Sequence, residues 1–364
     1  MPHADDSPTF STSGGHFRPS AGEPRADLAE NDPRTAEFGP LDLGPLAEPA
    51  RRSLNGEHPG ETGTMLPPLV DHHVHLMIIG TDALADTALA AVLDLGAPLD
   101  LVTARRHHDG LPRVEFAGAF LTARGGYPVG RAWASEGSAR ELDVHEGNGR
   151  SALPGPVETA VSEQHGFGAS VIKVALNAAA GPVFDRATLD AVVTAAHDRA
   201  LPVVAHVEGD GMTRLAIDAG VDALAHAPFT ERIDDELIAR AVAAGQRWIS
   251  TLFVTSHGEP APDRDRAIDN LRRFHDAGGR VLYGTDLGNG DQPLGVNPAE
   301  IAALAAAGLG APELLDAIVD PWPRNEPVEG ISTFVPGSPP ATIDDVPAWL
   351  ASACIVPAEE LETL

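Results

Sequence analysis

The chain has 364 residues, and 43% of them are apolar, which is enough for a sizeable buried core. The formal net charge is −28, from 25 basic and 53 acidic residues, and such a charge repels nucleic-acid phosphates and anionic lipid. We therefore exclude nucleic acid and membrane surfaces as main partners.

Cys354 is the only cysteine, so the chain cannot form an internal disulfide or a thiolate metal site. Any metal must therefore bind to histidines and carboxylates. The first residues lack the basic and apolar regions of a secretory signal, and no apolar run approaches the roughly 18 residues of a membrane helix. We expect a cytoplasmic protein.

The chain divides into three parts by composition. Residues 1–65 are rich in Pro, Gly, Ser and acidic residues, which predicts an irregular N-terminal flank. Residues 66–320 alternate short apolar runs with amphipathic stretches, which is typical of repeated βα units. Residues 321–364 are Pro-rich and predict a C-terminal flank packed outside the central part, with short strands over 333–335 and 353–356.

Eight strands are predicted in the central part, with helices between them. The predicted strands are 69–76, 99–103, 113–121, 170–176, 202–206, 223–226, 248–254 and 280–286. The predicted helices are 82–95, 156–165, 185–200, 211–219, 234–244, 263–277, 297–307 and 312–320. Eight βα units over about 250 residues predict the α/β class and a (β/α)₈ TIM barrel.

Two histidines stand at the end of the first predicted strand. His73 and His75 are two residues apart, so on a strand their imidazoles point to the same side, and neutral imidazole is the commonest metal ligand. Asp71 shares that side and can orient a ligand, whereas His72 points to the other side. A histidine-rich strand end without a metal is the alternative.

Four further polar residues interrupt apolar strands near their carboxyl ends, where such barrels carry their chemistry. These residues are Lys173, His206, His226 and Asp286. Each alone has a structural explanation, such as a hydrogen-bonded core histidine or a turn-capping aspartate. Together with His73 and His75 they form a set of six that chance explains poorly, and we expect them to meet at one barrel mouth.

The motifs around these residues resemble those of the amidohydrolase superfamily, over about residues 65–320. In chain order they are Asp71-His72-His73-Val74-His75, Ser170-Val171-Ile172-Lys173-Val174, Ala205-His206, Asp222-Ala223-Leu224-Ala225-His226 and Tyr283-Gly284-Thr285-Asp286. The stretches around strands five to eight are most similar to the Xaa-Pro dipeptidase and imidazolonepropionase-like members.

This resemblance implies two divalent metal ions, usually Zn²⁺, with Mn²⁺, Co²⁺ or Fe²⁺ also compatible with the N and O ligands. His73, His75 and Asp286 would hold one ion, His206 and His226 would hold the other, and Lys173 would bridge both as an N-carboxylated lysine. The implied reaction is hydrolysis of an amide bond in a small molecule, such as a dipeptide or an N-acyl amino acid. A metal-activated hydroxide would attack, and Asp286 would act as general base and acid.

The sequence departs from the family in two places. Tyr127 stands where the loop after strand three usually carries a histidine, and the Pro-rich flanks predict a reduced or degenerate form of the family's β-sandwich. Arg124, Tyr127, Arg131 and His257 lie on loops at the same mouth and are candidates for substrate contacts, because Arg and Tyr can hold a carboxylate. Each of them can equally be a surface residue.

Three other functions stay open at this point. The same centre can cleave a lactone or an ester. A mononuclear deaminase is a second alternative, although Gly209 stands where such deaminases carry a glutamate, three residues after His206. A non-catalytic binding barrel is the third. The oligomeric state, a homo-oligomer included, is not encoded in any feature we find.

Overall fold

Parallel strands form the centre of the computed structural model, which describes residues 41–80, 82–106, 110–143 and 155–364. Its strands are β1 (Glu48–Arg52), β2 (Thr62–Leu66), β3 (Leu69–Val74), β4 (Leu89–Asp94), β5 (Arg113–Phe116), β6 (Phe120–Ala123), β7 (Ala139–Leu142), β8 (Ile172–Asn177), β9 (Val203–Glu208), β10 (Ala223–Leu224), β11 (Arg247–Ile249), β12 (Arg280–Leu282), β13 (Ile331–Pro336), β14 (Cys354–Pro357) and β15 (Leu361–Thr363). Its helices are α1 (Leu76–Ile79), α2 (Leu99–Arg105), α3 (Pro156–Gly166), α4 (Arg186–His197), α5 (Met212–Asp218), α6 (Asp235–Ala243), α7 (Pro262–Asp276), α8 (Pro298–Ala306), α9 (Ala311–Val319) and α10 (Val346–Ala351).

The central strands form two parallel sheets within the described residues. One has seven strands in the order β12-β11-β10-β9-β8-β6-β7, and the other has three in the order β3-β4-β5. Backbone hydrogen bonds join the two sheets on both sides. His72 N donates to Tyr283 O at 3.1 Å beside β12, and Ser170 N donates to Phe116 O at 2.9 Å between β5 and β8. The chain therefore has a mixed α/β fold built on parallel strands.

Burial explains why these strands form. Every residue of β3, β4 and β8 is buried, because helices cover one face of a parallel sheet and packed side chains cover the other. Helices α4 and α6 are amphipathic, and each begins at a capping aspartate. Asp185 accepts a hydrogen bond from Thr188 N, and Asp234 accepts one from Leu237 N.

The helix predicted over 82–95 and the strand predicted over 99–103 were wrong. The structure has strand β4 in the first region and helix α2 in the second. Residues 88–95 are all buried, so this segment has no solvent-facing side of the kind that a surface helix needs. Its apolar residues fit a helical spacing only because the run is nearly continuous, which is typical of a strand buried on both faces.

The two flanks meet in a five-stranded antiparallel sheet, counted over the described residues, with the order β14-β13-β2-β1-β15. Strands β1 and β2 lie in a flank that the sequence predicts to be irregular, and residues 1–40 of that flank lie outside the described part. Arg51 and Arg52 on β1 pair with Glu362 and Glu360 at 2.6 and 3.0 Å, which links the two flanks by charge. Among the helices that the structure describes, none has the length and apolar content to cross a bilayer.

Candidate metal centre

A cavity of about 210 Å³ lies at the carboxyl ends of the parallel strands. All six polar residues that the sequence predicts for the barrel mouth line it, and all are buried: His73, His75, Lys173, His206, His226 and Asp286. They come from β3 and the residue after it, from β8 and β9, and from the segments that follow β10 and β12. The rest of the lining includes Phe120, Tyr127, Glu208, Phe229 and Asn289.

Three of these side chains converge most closely. Nε2 of His73 lies 3.3 Å from Nε2 of His75, and the two nitrogens lie 3.2 and 3.1 Å from Oδ1 of Asp286. His73 Nδ1 donates to Ala225 O at 2.9 Å, so its Nε2 carries a lone pair. Lone pairs and a carboxylate that face each other in a buried site repel unless a cation lies between them. The ligand atoms all lie within 4.8 Å of one another, so these residues can hold a metal ion.

The expected protonation states suit metal binding. Burial lowers the pKa of His73 and of His226 well below the usual range, so both rings are neutral at pH 7. Burial alone would raise the pKa of Asp286, but the neighbouring histidines outweigh it, and the pKa of this carboxyl lies well below its usual range. Neutral imidazoles and an ionised carboxylate are the forms that coordinate a cation.

His206 and His226 face the same cavity from the other side. Nδ1 of His226 lies 2.8 Å from Thr251 Oγ1, which leaves Nε2 directed at the cavity. His206 places Nε2 3.3 Å from both Oε2 of Glu208 and Nδ2 of Asn177. The ring centroid of His226 lies 4.8 Å from that of His73 and 5.0 Å from that of His206, so the three rings form one continuous wall.

Lys173 is the only lysine in the chain, and the other 24 of the 25 basic residues are arginines. Its side chain is 1% exposed, and Nζ lies 5.7 Å from the centroid of the Phe120 ring. Burial lowers the pKa of Lys173 to about 7. No carboxylate of the described residues comes within 4 Å of the ammonium group, so burial here is not compensated by a close ion pair. The count of lysines is thus a sequence signal that singles out Lys173.

Two buried aspartates stabilise the loops that carry the ligands. Asp71 accepts hydrogen bonds from His73 N at 3.0 Å and from Thr285, and so it acts on the backbone rather than on an imidazole. Asp94, which the sequence analysis missed, accepts from Leu76 N at 2.7 Å and from Gly96 N at 3.0 Å. Thr251 was also missed, because the strand before it carries no residue that suggests metal chemistry.

The four candidates for substrate contacts lie in different surroundings. Tyr127 lines the cavity, and its ring stacks on His206 at 5.0 Å between centroids. Arg131 is exposed, with its guanidinium 5.8 Å from the centroid of Tyr127. Arg124 is exposed and forms an ion pair with Asp143, and His257 is exposed beside Phe253. Arg124, Arg131 and His257 do not line the cavity.

The sequence matches no family model and no curated protein. Solved structures match over most of their length. A Xaa-Pro dipeptidase with bound methionine has a TM-score of 0.60 and 20% identity over 82% of this chain and 87% of that chain. An ochratoxinase from A. niger has a TM-score of 0.61 and 19% identity over 79% and 80% of the two chains.

A third similar structure is the bottromycin amidohydrolase, with a TM-score of 0.54 and 18% identity over 92% of both chains. At such identities the likeness is one of fold. It agrees with the fold that the motif resemblance implies, since the same chain segments carry the motifs and the parallel strands. The chain therefore has the fold of these three structures.

Proposed function

We propose that the chain is a metal-dependent hydrolase that cleaves an amide bond of a small molecule, such as a dipeptide or an N-acyl amino acid. The observation that carries the proposal is the meeting of six residues, distant in sequence, in one buried cavity. The names of similar structures, which include a Xaa-Pro dipeptidase and two amidohydrolases, favour a C–N bond as the target.

In this proposal, strands β3–β6 and β8–β12 close into a (β/α)₈ barrel, with β5 and β6 as successive parts of one barrel strand. The backbone hydrogen bonds that join the two parallel sheets on both sides support closure. The five-stranded antiparallel sheet then corresponds to the reduced β-sandwich. Closure brings the carboxyl ends of all eight strands around the cavity, which is where barrels of this kind bind substrates.

His73, His75 and Asp286 would hold one divalent cation, and His206 and His226 would hold a second. Zn²⁺ suits the N and O ligands, as do Mn²⁺, Co²⁺ and Fe²⁺. When bound, the ions would polarise the scissile carbonyl and lower the pKa of a water molecule towards 7.

Lys173 would bridge the two cations after carboxylation. With its pKa lowered to about 7, the side chain is partly a neutral amine, and Nζ can attack CO₂. A bond forms between Nζ and the carbon, Nζ loses a proton, and an anionic carbamate with two oxygens results. A guanidinium, which does not lose its proton in proteins, cannot do this. A lysine is therefore needed at this position in a chain whose other basic residues are arginines.

Asp286 and Tyr127 would act directly on the substrate. The Asp286 carboxylate would accept the proton of the attacking water and pass it to the leaving nitrogen. Asn289 Nδ2 donates to Asp286 Oδ2 at 3.0 Å and orients this carboxylate. Burial raises the pKa of Tyr127 well above its usual range, so its hydroxyl stays protonated and can donate to a substrate oxygen.

The test is to measure the metal content of the purified protein and its activity on N-acyl amino acids, dipeptides and lactones. We expect about two ions per chain, loss of activity with a chelator, and release of an amine. Lys173→Ala and Asp286→Asn should abolish turnover, whereas Glu326→Gln, an exposed carboxylate outside the cavity, should not.

Several outcomes would decide against the proposal. Turnover of lactones alone would assign ester chemistry to the same centre, and one ion per chain with release of ammonia would indicate a deaminase. Full activity after removal of all metal would overturn the proposed mechanism. Substrate binding without turnover by any metal-loaded form would favour a non-catalytic protein.

A further inference from the structure

A second cavity, of about 280 Å³, adjoins the metal-binding cavity. The two share His75, Tyr127, Asp286 and Asn289 in their linings. The part that belongs to the second cavity alone is lined by Ile78, Trp133, Gly288 and Gly290, and we call it the side lobe. A molecule that fills both cavities would therefore place one group in the side lobe and a neighbouring bond beside Asp286.

Trp133 is the aromatic residue among those that line the side lobe alone, and three other rings lie beside it. The ring centroid of Trp133 lies 5.9 Å from that of Tyr127, 6.1 Å from His75 and 6.2 Å from Phe120. Trp133 and Tyr127 are only partly buried, so their remaining surface faces the cavity and solvent. Ile78, which follows the metal-site histidines on α1, is 39% exposed.

The charge of the side lobe argues against an anionic occupant. Among the described residues no Lys or Arg lines it, so no cationic side chain there would pair with an anion. Gly288 packs closely against Ile78, because its φ is +114° and a Cβ atom there would lie 3.2 Å from Ile78 Cβ. The flat ring of Trp133 and the exposed side chain of Ile78 offer apolar surface that is complementary to an uncharged planar group.

We propose that the side lobe binds an aromatic ring carried by the substrate, next to the bond that is cleaved. This assignment of substrate class rests on the proposed hydrolase function for its reaction, but the binding itself does not require turnover. Partial exposure of Trp133 and Ile78 in the free protein leaves apolar surface that an aromatic ring would remove from water.

Two matched pairs of ligands test the proposal. N-benzoylglycine and N-acetylglycine differ only in the acyl group, and N-acetylphenylalanine and N-acetylalanine differ only on the amine side. Dissociation constants are measured on the purified protein by calorimetry, and kcat/KM is measured for each compound. We expect one aromatic member to bind at least about tenfold more tightly than its partner, and the gain to appear in kcat/KM.

The variants separate the side lobe from general effects on the protein. Trp133→Ala should bring the ratio of the two dissociation constants within that pair close to one. Trp133→Phe should keep most of the difference between them. Phe167→Ala removes an exposed aromatic residue that lines neither cavity and should leave the ratio unchanged. Ile78→Asp offers a second test at a partly exposed position, should Trp133→Ala fail to fold.

The outcomes distinguish the side lobe from the proposed function. Equal binding within both pairs, or a preference that survives both Trp133→Ala and Ile78→Asp, would overturn the assignment of the side lobe. Preferential aromatic binding without turnover of any amide would support the side lobe and reject the hydrolase. Fast turnover at equal rates for the two members of each pair would support the hydrolase and reject the side lobe.

Discussion

Asp71 accepts two hydrogen bonds from Thr285, one from its backbone N–H at 3.0 Å and one from its hydroxyl at 2.6 Å. The same carboxylate accepts a third from His73 N at 3.0 Å. A single buried side chain thus connects the strand that carries His73 to the residue before Asp286. The relative position of these two predicted ligands depends on this connection.

Asp71→Asn tests this connection. An amide has one acceptor oxygen where the carboxylate has two, so at least one donor of Thr285 or His73 is left unpaired in the core. We expect the free energy of unfolding to fall by about 1–3 kcal/mol and metal affinity to fall with it. Thr285→Ser keeps the hydroxyl and should change both quantities much less. An Asp71→Asn protein with unchanged metal affinity would show that the loops hold the ligands without this carboxylate.

Thr251 offers a test of the second proposed metal position. It has φ of +43°, which is strained for a β-branched residue, and its hydroxyl lies 2.8 Å from His226 Nδ1. Thr251→Val removes the hydroxyl that fixes the tautomer of His226, and we expect about 10–100-fold weaker binding of one of the two ions. Thr251→Ser is the matched control and should bind both. Competition with a chelator, together with a count of the bound ions, measures the metal affinities. Equal metal affinities in Thr251→Val and Thr251→Ser would contradict the role of the Thr251 hydroxyl.

Lys173→Arg tests the carbamate with a cation of similar length. Because Lys173 is the only lysine, ¹³C-labelled bicarbonate should give one side-chain carbamate signal in the NMR spectrum of the wild type. The variant should lack that signal, bind fewer metal ions, and lose activity by at least about a hundredfold, since even outer groups of metal sites contribute 10–100-fold. A wild-type protein that is active and metal-loaded but shows no carbamate would exclude the bridge.

Glu300 predicts a pH dependence of stability. It accepts from Leu252 N at 2.9 Å and Phe253 N at 2.6 Å, and burial raises its pKa from 4.5 to about 7. Between these values the folded state keeps a proton that the unfolded state has lost. The contribution of Glu300 therefore falls by about 1.4 kcal/mol per pH unit as pH rises from 4.5 to 7, and is constant above.

Glu300→Gln should remove this dependence while adding a constant cost for the lost acceptor. Chemical denaturation of both proteins at pH 5, 6, 7 and 8 gives the difference in their free energies of unfolding. We expect the stability advantage of the wild type to shrink up to pH 7. A difference that stays constant across the range would mean that Glu300 is already ionised in the folded protein at pH 5.

The sequence predicted which polar residues meet in one cavity better than it predicted the strands. Lys173 and His206 could be found because each interrupts an apolar strand. Burial of a charged or polar residue in such a position costs free energy unless the residue has a binding partner. Helix periodicity failed over 82–95 because a fully buried strand is apolar at every position, so any spacing can be found in it. Strands β1 and β2 pair with each other, but their other partners, β15 and β13, lie about 310 and 270 residues further along the chain, beyond the reach of local patterns.

Thr251 and Asp94 show a different limit. Their roles depend on a hydrogen bond to a ring or backbone on another strand, and neither residue type is unusual where it stands. The side lobe was equally hidden, because Ile78 and Trp133 are far apart in sequence and only the fold brings them to one cavity.

The enclosed position of Lys173 also affects how the protein can be handled. An amine-reactive ester finds no lysine side chain on the surface, so labelling or immobilisation through amines is directed to the α-amino group. A second modification would then report that the mouth of the cavity has opened far enough to admit the reagent. The reactivity of Lys173 thus measures how accessible the proposed active site is to reagents in solution.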